Sequence, residues 1–582
     1  MSEILTVAKA LSQSSDEDLV RVVGIRVLST ANFADFFDLA SALIKAQSIN
    51  GAIAGLTRLQ IIAFRNLLER KTTAKDKPHL AALATLFLVQ KNVTDGKTEY
   101  IPLESAVDAF KQIAGKVSLN SPAPADQEPV DPKLIDPQAG IAAFETVQAL
   151  TELLIDLEQR YVRQVGRSSV GLAELKRLAA HLGREVEYAK ALYSLGQMAG
   201  LVALSDKRWR VGSEYLNWLQ QEPAERWLLL AKTWRLLLGE QASAEFVNAK
   251  SLDKAMKEIF PLANDGISSH MTRLVSLAEL IGLSSGNRTS SWFTALMQGD
   301  FKSATKLLSS ALPKTQSKLI VQADLSIISV GPLPTKTELE LRRFVETERI
   351  GVASTYRIST LSITYGLETG LTEASIRKLL AELSGTTLPQ PVDYLIREAA
   401  SRFGRLVLTD GISGTFITAT DQVLLTHILN DTSLRPISIT RVDEATLQTR
   451  FELDIVYYQL RESKYAAIRK DAQGQVISNW SAAGGLKQTP NAANSVLSDI
   501  KRWRDHELRL GESPEGSDIV RQLELAIKSK GSIQVAVLIK KIPREFLLEP
   551  TGLANGRLRG KDRKADCERV IPLSSITGVR LG

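Results

Sequence analysis

A chain whose N-terminal half reads as one amphipathic helix after another changes character at LIVQADLSIISVGPL, Leu319–Leu333, an apolar, β-branched run stopped by Gly331-Pro332. Such a run reads as a buried strand entering a turn. A chain that holds both a helical array and this segment is multidomain, mainly α with α+β. Its 582 residues agree, because one hydrophobic core stops growing well below that length.

The first boundary is SLNSPAPADQEPVDPKLIDPQAG, Ser118–Gly140, with five of the chain's twenty prolines. Proline fixes φ and removes a backbone donor, so 118–140 reads as a Pro-rich linker. In 1–117, LTRLQIIAFRNLLERK and HLAALATLFLVQKNVTDGKTEYIPL give two helices and a hairpin turn at Asp95-Gly96. A winged-helix-like unit and a helical bundle with a β-corner both fit that order.

The stretch 141–316 reads as helical, with a second such unit near 168–212. Leu172, Leu175, Leu178, Ala179 and Leu182 mark one helix face, and Val186, Ala189, Leu192 and Leu195 mark the next, with Gly183 as the turn. Val202, Leu204, Trp209 and Val211 then alternate around the turn Ser205–Arg208 as a hairpin. Helix, turn, helix, wing can set its second helix in a DNA groove or dock a protein. On the DNA reading, Arg184, Lys190, Lys207, Arg208 and Arg210 are candidate nucleic-acid contacts. Trp227 and Trp234, on one side of the next helix, read as core.

From 317 to 480 an α+β domain is expected. Thr335 and Glu338 have capping-box spacing ahead of a helix with Leu341, Phe344 and Val345 on its apolar face. Val392, Leu395, Ile396, Ala399 and Phe403 recur at helical spacing behind Pro391, and RLVLTDGISGTFITAT reads as a hairpin turning at Asp410-Gly411.

VQADLSIISVGPL, ASTYRIS, LPQPVDYLIREAASRFGRLVL and TDQVLLTHIL, in that order, resemble the N-terminal domain of the XPB family of DNA helicases, in the helicase-associated form of stand-alone bacterial proteins. LRPISITRVDEATLQTRFELDIVYYQLRESKYAAIRKDAQGQVI is similar to the second half of that region, so the resemblance spans Leu319–Ser478. It implies an accessory domain that touches DNA or an XPB-like helicase in repair or transcription, and it does not imply a motor. A motor needs a glycine-rich loop ending in Gly-Lys-Ser/Thr. The one such ending, Gly96-Lys97-Thr98, has Lys91 where the opening glycine would stand, so it reads as hairpin and the chain as a non-enzyme.

After a connecting segment, 481–519, the end of the chain alternates at Ile533, Val535, Val537 and Ile539, then carries glycine-punctuated short strands, the pattern of a small β-barrel at 520–582. LEPTGLANGRLRGKDRKADCERVIPLSSITGV resembles the WYL domain of bacterial regulators, with Arg557-Leu558-Arg559 or a neighbouring triplet where the name-giving residues would be. Nine basic residues, Lys540, Lys541, Arg544, Arg557, Arg559, Lys561, Arg563, Lys564 and Arg569, face five acidic ones between 540 and 569. That excess of four is over half of the net charge of +7 and marks these residues as candidate phosphate contacts.

His79, His181, His270, His427 and His506 are isolated, without a partner at metal-ligand spacing, and neither a metal nor another cofactor is expected. Cys567 reads as an inert thiol, and the carboxylates at Glu338 and Glu340 or Asp16, Glu17 and Asp18 as exposed helix-end residues. The N-terminus lacks a signal peptide's pattern, and no apolar run approaches the roughly 18 residues that span a bilayer, so a cytoplasmic, nucleoid-associated protein is expected.

These features point to a non-enzymatic DNA-binding accessory protein of an XPB-like helicase, with little sequence preference. Two alternatives stay open: a WYL-type transcriptional regulator sensing a ligand or single-stranded nucleic acid, and a scaffold that binds the helicase and no nucleic acid.

Overall fold

The computed structural model describes the chain apart from residues 1–2, 27, 29–32, 95–96, 115–130, 161, 167–168, 206, 479–491, 512–518, 521–522, 524–525, 528–531, 540–541, 555, 564 and 582. It divides into two compact units, one of Met1–Ala123, Lys257–Ser268 and Ala492–Gly582, the other of Pro124–Met256 and Ser269–Asn491.

In the first unit, Thr57 and Gln60 cap the helix Arg58–Leu68 reciprocally. The helix Lys77–Thr85 follows, and the strands Val89–Thr94 and Lys97–Pro102 pair antiparallel. The hairpin therefore forms, while its expected turn residues Asp95-Gly96 lie outside the described residues. Lys97 and Thr98 are strand residues opposite Thr94 and Val93, not the mouth of a phosphate-binding loop.

Leu39, Ile53, Ile61, Phe64, Leu83 and Phe110 fill one core, with the Phe64 and Phe110 rings edge to face at 4.7 Å. The helix Ala492–Gly511 completes it, although 481–519 was expected only to connect. Ile500 and Trp503 are buried there, and the Trp503 indole donates to the Phe33 carbonyl at 3.0 Å. Arg504 donates to Asp16 at 2.7 Å and to the carbonyls of Ser12 and Ser14.

The C-terminal strands form one antiparallel sheet in the order Cys567–Pro572, Arg557–Asp562, Ile542–Ala554, Ile533–Ile539, Ile576–Leu581. Ile533, Val535, Val537, Leu548, Leu558 and Ile571 fill its inner side. Closure into the expected barrel is not shown: among the described residues each outer strand pairs with one neighbour.

The spine of the second unit is the helix Pro132–Gln159. This corrects the linker, whose second half, Pro137 included, is helical; of its first half, 118–130 lies outside the described residues. Proline near a helix start costs one backbone bond and a ring clash. Here the helix is apolar around its circumference, burying Ala139, Ala143, Phe144, Val147, Leu150, Leu153, Leu154 and Leu157, and that burial outweighs the loss. At Gly140 a Cβ would stand 2.8 Å from the Ala311 carbonyl, so only glycine permits the approach.

Helices Val186–Met198, Pro223–Leu238 and Phe301–Ala311 pack on this spine. The helix pair Leu172–Leu182 and Val186–Met198 turns at Gly183, whose φ is +63°, and leads into the hairpin Val202–Ser205 with Arg208–Val211. Trp209, Trp218, Trp227, Trp234 and Trp292 are fully buried, as core tryptophans should be.

Beyond Leu319 there are two cores, one from Leu319 to Ala399 and one from Leu406 to Ala467. The opening stretch is two strands, Leu319–Val321 and Ser326–Ser329, paired around a turn, rather than one buried strand. Leu325 takes a φ of +73° in that turn, and Ile320 is half exposed. The expected capping box is absent: Pro334 is the cap, and Glu338 turns inward. The helix stops at Arg342, leaving Phe344 and Val345 buried beyond its end.

The helix Gln390–Arg402 buries Val392, Ile396 and Ala399 as its spacing predicts. Leu406–Gly411 then pairs with Gly414–Ala419, and because Gly411 stands opposite Gly414 the turn is Ile412-Ser413 rather than Asp410-Gly411. This hairpin sits in a five-stranded sheet with Thr440–Arg441, Thr446–Thr449 and Ile468–Lys470, the last parallel to Leu406–Gly411.

Candidate nucleic-acid interface

Along Arg557–Asp562 burial alternates, so Arg557, Arg559 and Lys561 share the exposed side while Leu558, Gly560 and Asp562 face in. The strand register sets Lys561 between Glu549 and Glu568, and its ammonium pairs with Asp566 at 2.8 Å. Arg563 pairs with Glu549. Arg569 is structural: it bonds the buried Asp562 at 2.6 Å and lies 4.5 Å over the Phe546 ring.

Arg557 and Arg559 differ, since their cross-strand neighbours are Pro572, Val570, Ala554 and Gly552. Among the described residues neither has an ion-pair partner, nor does the exposed Arg544. Lys540, Lys541 and Lys564 lie outside the described residues. Two adjacent outward guanidinium groups beside small and apolar neighbours can hold phosphate oxygens with little competition.

The helix pair and hairpin fit a basic surface less well. Arg184 pairs with Glu145 at 2.6 Å, and Lys190 with Glu187 at 3.4 Å. Lys207 is exposed in the hairpin turn, and Arg210 is half-buried. Arg208 is corrected: it is buried, 3.4 Å from Asp454, donates to the Arg160 carbonyl, and lies 5.0 Å over the Tyr458 ring. The alternation that points Trp209 into the core does not decide Arg208, because the 454–458 helix turn covers the strand's other side.

A charged cleft of about 530 Å³ opens in the second unit between the spine helix and the segments around Arg342 and Arg461. Its floor is an ion network that sequence reading missed. Arg342 pairs with Glu152 and, at 2.9 Å, with Glu338, which also stands 3.7 Å from Arg226. Arg177 pairs with Asp156 and Glu174, and Arg160 bridges Asp156 and Glu462, each at 3.3 Å.

Burial raises the Asp156 pKa, with Arg177 and Arg160 opposing, and lowers those of His181 and Arg342. Deeper in, burial pushes Glu158 up to about 8 although Tyr215 donates to it at 2.8 Å. Glu368, which accepts from Tyr457 at 2.7 Å, is pushed up to about 7. With guanidinium set against carboxylate at Glu152, Glu338, Asp156, Glu174 and Glu462, the network locks elements together. Its signal was present in the sequence: Glu152, Asp156 and Glu158 interrupt a helix apolar on all sides, which calls for buried partners. Glu338 is thereby corrected from an exposed helix-end residue to a buried ion-pair member.

Among the described residues no group of three or more histidine, cysteine or carboxylate side chains could hold a metal ion, and no helix is long and apolar enough to cross a membrane. Cys567 is exposed. No curated protein matches the sequence. Residues 319–443, comprising the first core and most of the sheet that follows, match the family model of the helicase conserved C-terminal domain.

Proposed function

We propose that this chain is a non-enzymatic, DNA-binding accessory protein that works with an XPB-like helicase in repair or transcription. The observation that carries the reading is the match of residues 319–443 to the helicase conserved C-terminal domain, in a chain where Lys97 and Thr98 of the Gly-Lys-Thr triplet are paired strand residues. The resemblance of 317–480 to the XPB N-terminal domain and of 520–582 to the WYL domain supports the same company. The helix–helix–hairpin order at 168–212 is that of a winged helix, and Arg184, Lys190 and Lys207 are its remaining outward cations.

Direct DNA contact rests chiefly on Arg557 and Arg559. Contacts of this kind give affinity without reading bases, so little sequence preference is expected. Titration of labelled duplex, forked and single-stranded DNA at about 50 mM salt tests it, because phosphate contacts are strong there. Binding that weakens steeply with salt is expected; no binding to any of the three overturns the DNA-contact half. Capture of a helicase from nuclease-treated extract without DNA binding would favour the scaffold.

A further inference from the structure

The sheet around Leu406–Gly411 has one closed and one open side. Leu408, Ile417 and Leu447 point into a core with Leu425, Ile428, Val456 and Leu460 from the helices Gln422–Asn430 and Leu453–Glu462. Strand alternation sends the intervening residues the other way. There Phe416 stands between Thr409 and Gln448, Thr418 beside Thr446, and Lys470 beside Thr409. None of these six is buried.

The open side is unusual in composition. Around Phe416 it holds hydroxyls, a carboxamide and one cation, and no carboxylate, while toward Val407 the same side is covered and Ile468 is buried; Asp410 alternates with Thr409 and so belongs with Thr415 on the other side. The ring is held in place, since a Cβ on Gly411 would come 2.4 Å from Phe416 Cε2. Gln448 donates to the Ser413 hydroxyl at 2.7 Å, tying the turn to the same side. At that turn Ile412 is wholly exposed, flanked by Gly411, Ser413 and Gly414, so a branched apolar side chain stands on a narrow, braced tip.

We propose that this face is a binding platform for single-stranded nucleic acid. A base stacks on Phe416, Gln448 and the threonines meet base and sugar edges, Lys470 meets a phosphate, and Ile412 closes the stack at the turn. Aromatic stacking on a sheet serves unpaired bases, whose faces are accessible, and not bases stacked within a duplex. The platform shares nucleic acid with the proposed function but is built from residues of the second unit, whereas Arg557 and Arg559 belong to the first.

Fluorescence anisotropy with a labelled oligo-dT and with a hairpin duplex, on the full chain, separates the two. Phe416→Ala should weaken oligo-dT binding by about tenfold, as removal of one stacking ring does, and leave duplex binding unchanged. Gln448→Glu and Lys470→Glu, on an open surface that tolerates charge, should do the same with an unaltered melting temperature. Arg557→Ala with Arg559→Ala should weaken both ligands. Wild-type binding of duplex but not oligo-dT overturns the platform and leaves the proposed function standing, as does unchanged oligo-dT binding in all three platform variants. Binding of neither ligand overturns the platform together with the DNA-contact half of the proposed function.

Discussion

The guanidinium of Arg342 and the carboxylate of Glu152, both almost wholly buried, pair across 190 residues of chain. Each is costly to desolvate alone, and the pair is completed by Glu338, Gln148 and Thr347 around it. The spine helix is thereby joined to the segment that begins at Leu319, and the stretch matching a helicase family model is built onto Pro132–Gln159 rather than tethered to it.

Breaking that pair from one side should be expensive. Arg342→Ala removes the nearest cation from the buried Glu152 and Glu338, and a loss of about 3–5 kcal/mol is expected in denaturant unfolding followed by tryptophan fluorescence. Replacing Arg342, Glu152 and Glu338 together by apolar residues of similar volume should recover most of it. A single variant as stable as the parent would show that the network contributes nothing.

The helix Ala492–Gly511 should be required by the N-terminal core. Trp503→Ala removes a fully buried ring and its bond to Phe33, and a destabilisation of about 3–5 kcal/mol is expected. Ending the chain at residue 480 should make the segment 1–114 sensitive to protease. Native resistance of that segment in the shortened chain would remove the helix from the core's requirements.

Stability should decline with rising pH through two buried carboxyls. Folding raises Glu158 to about 8 and Glu368 to about 7 from an ordinary 4.5. A carboxyl of this kind favours the folded state fully below its unfolded pKa, and the advantage is lost as pH rises through the folded value. Melting temperature should therefore fall between about pH 5 and 8. Glu158→Gln keeps an acceptor for Tyr215 and should flatten the upper part of that decline, raising the melting temperature at about pH 9. A profile identical to the parent's would rule Glu158 out as its source.

The arginines of the C-terminal sheet should divide by role. Arg557→Ala with Arg559→Ala should lower the salt slope of duplex binding by about 2, with the melting temperature unchanged. Arg569→Ala should instead destabilise the sheet, because it removes the guanidinium bonded to the buried Asp562 carboxylate. Equal effects of both changes on folding would show that Arg557 and Arg559 are structural too.

Much of this architecture is local and could be read from the chain. The periodicity of Leu175, Leu178 and Leu182, the turn at Gly183, the proline ahead of Val392 and the alternation at Ile533, Val535 and Val537 each specify an element from its own residues. They do so because helix and strand repeats are properties of contiguous sequence. The same holds for the basic excess near the C-terminus, and of the resemblance expected from Leu319 onward the coarser part is shown, a match of 319–443 to a helicase conserved C-terminal domain.

What tertiary structure decided is what depends on partners distant in sequence. Arg208 reads as a wing cation and is buried because Asp454 and Tyr458 cover it; Glu338 reads as a cap and is buried because Arg226 and Arg342 await it. Pro137 is helical because the helix it lies on is held by the burial of Ala139, Ala143, Phe144 and Val147 beyond it, and Trp503 joins a core built mainly from residues before 115. Sequence patterns report which side chains avoid water, but not which distant group will cover a charge, and that pairing fixes which arginines remain outside to meet another molecule.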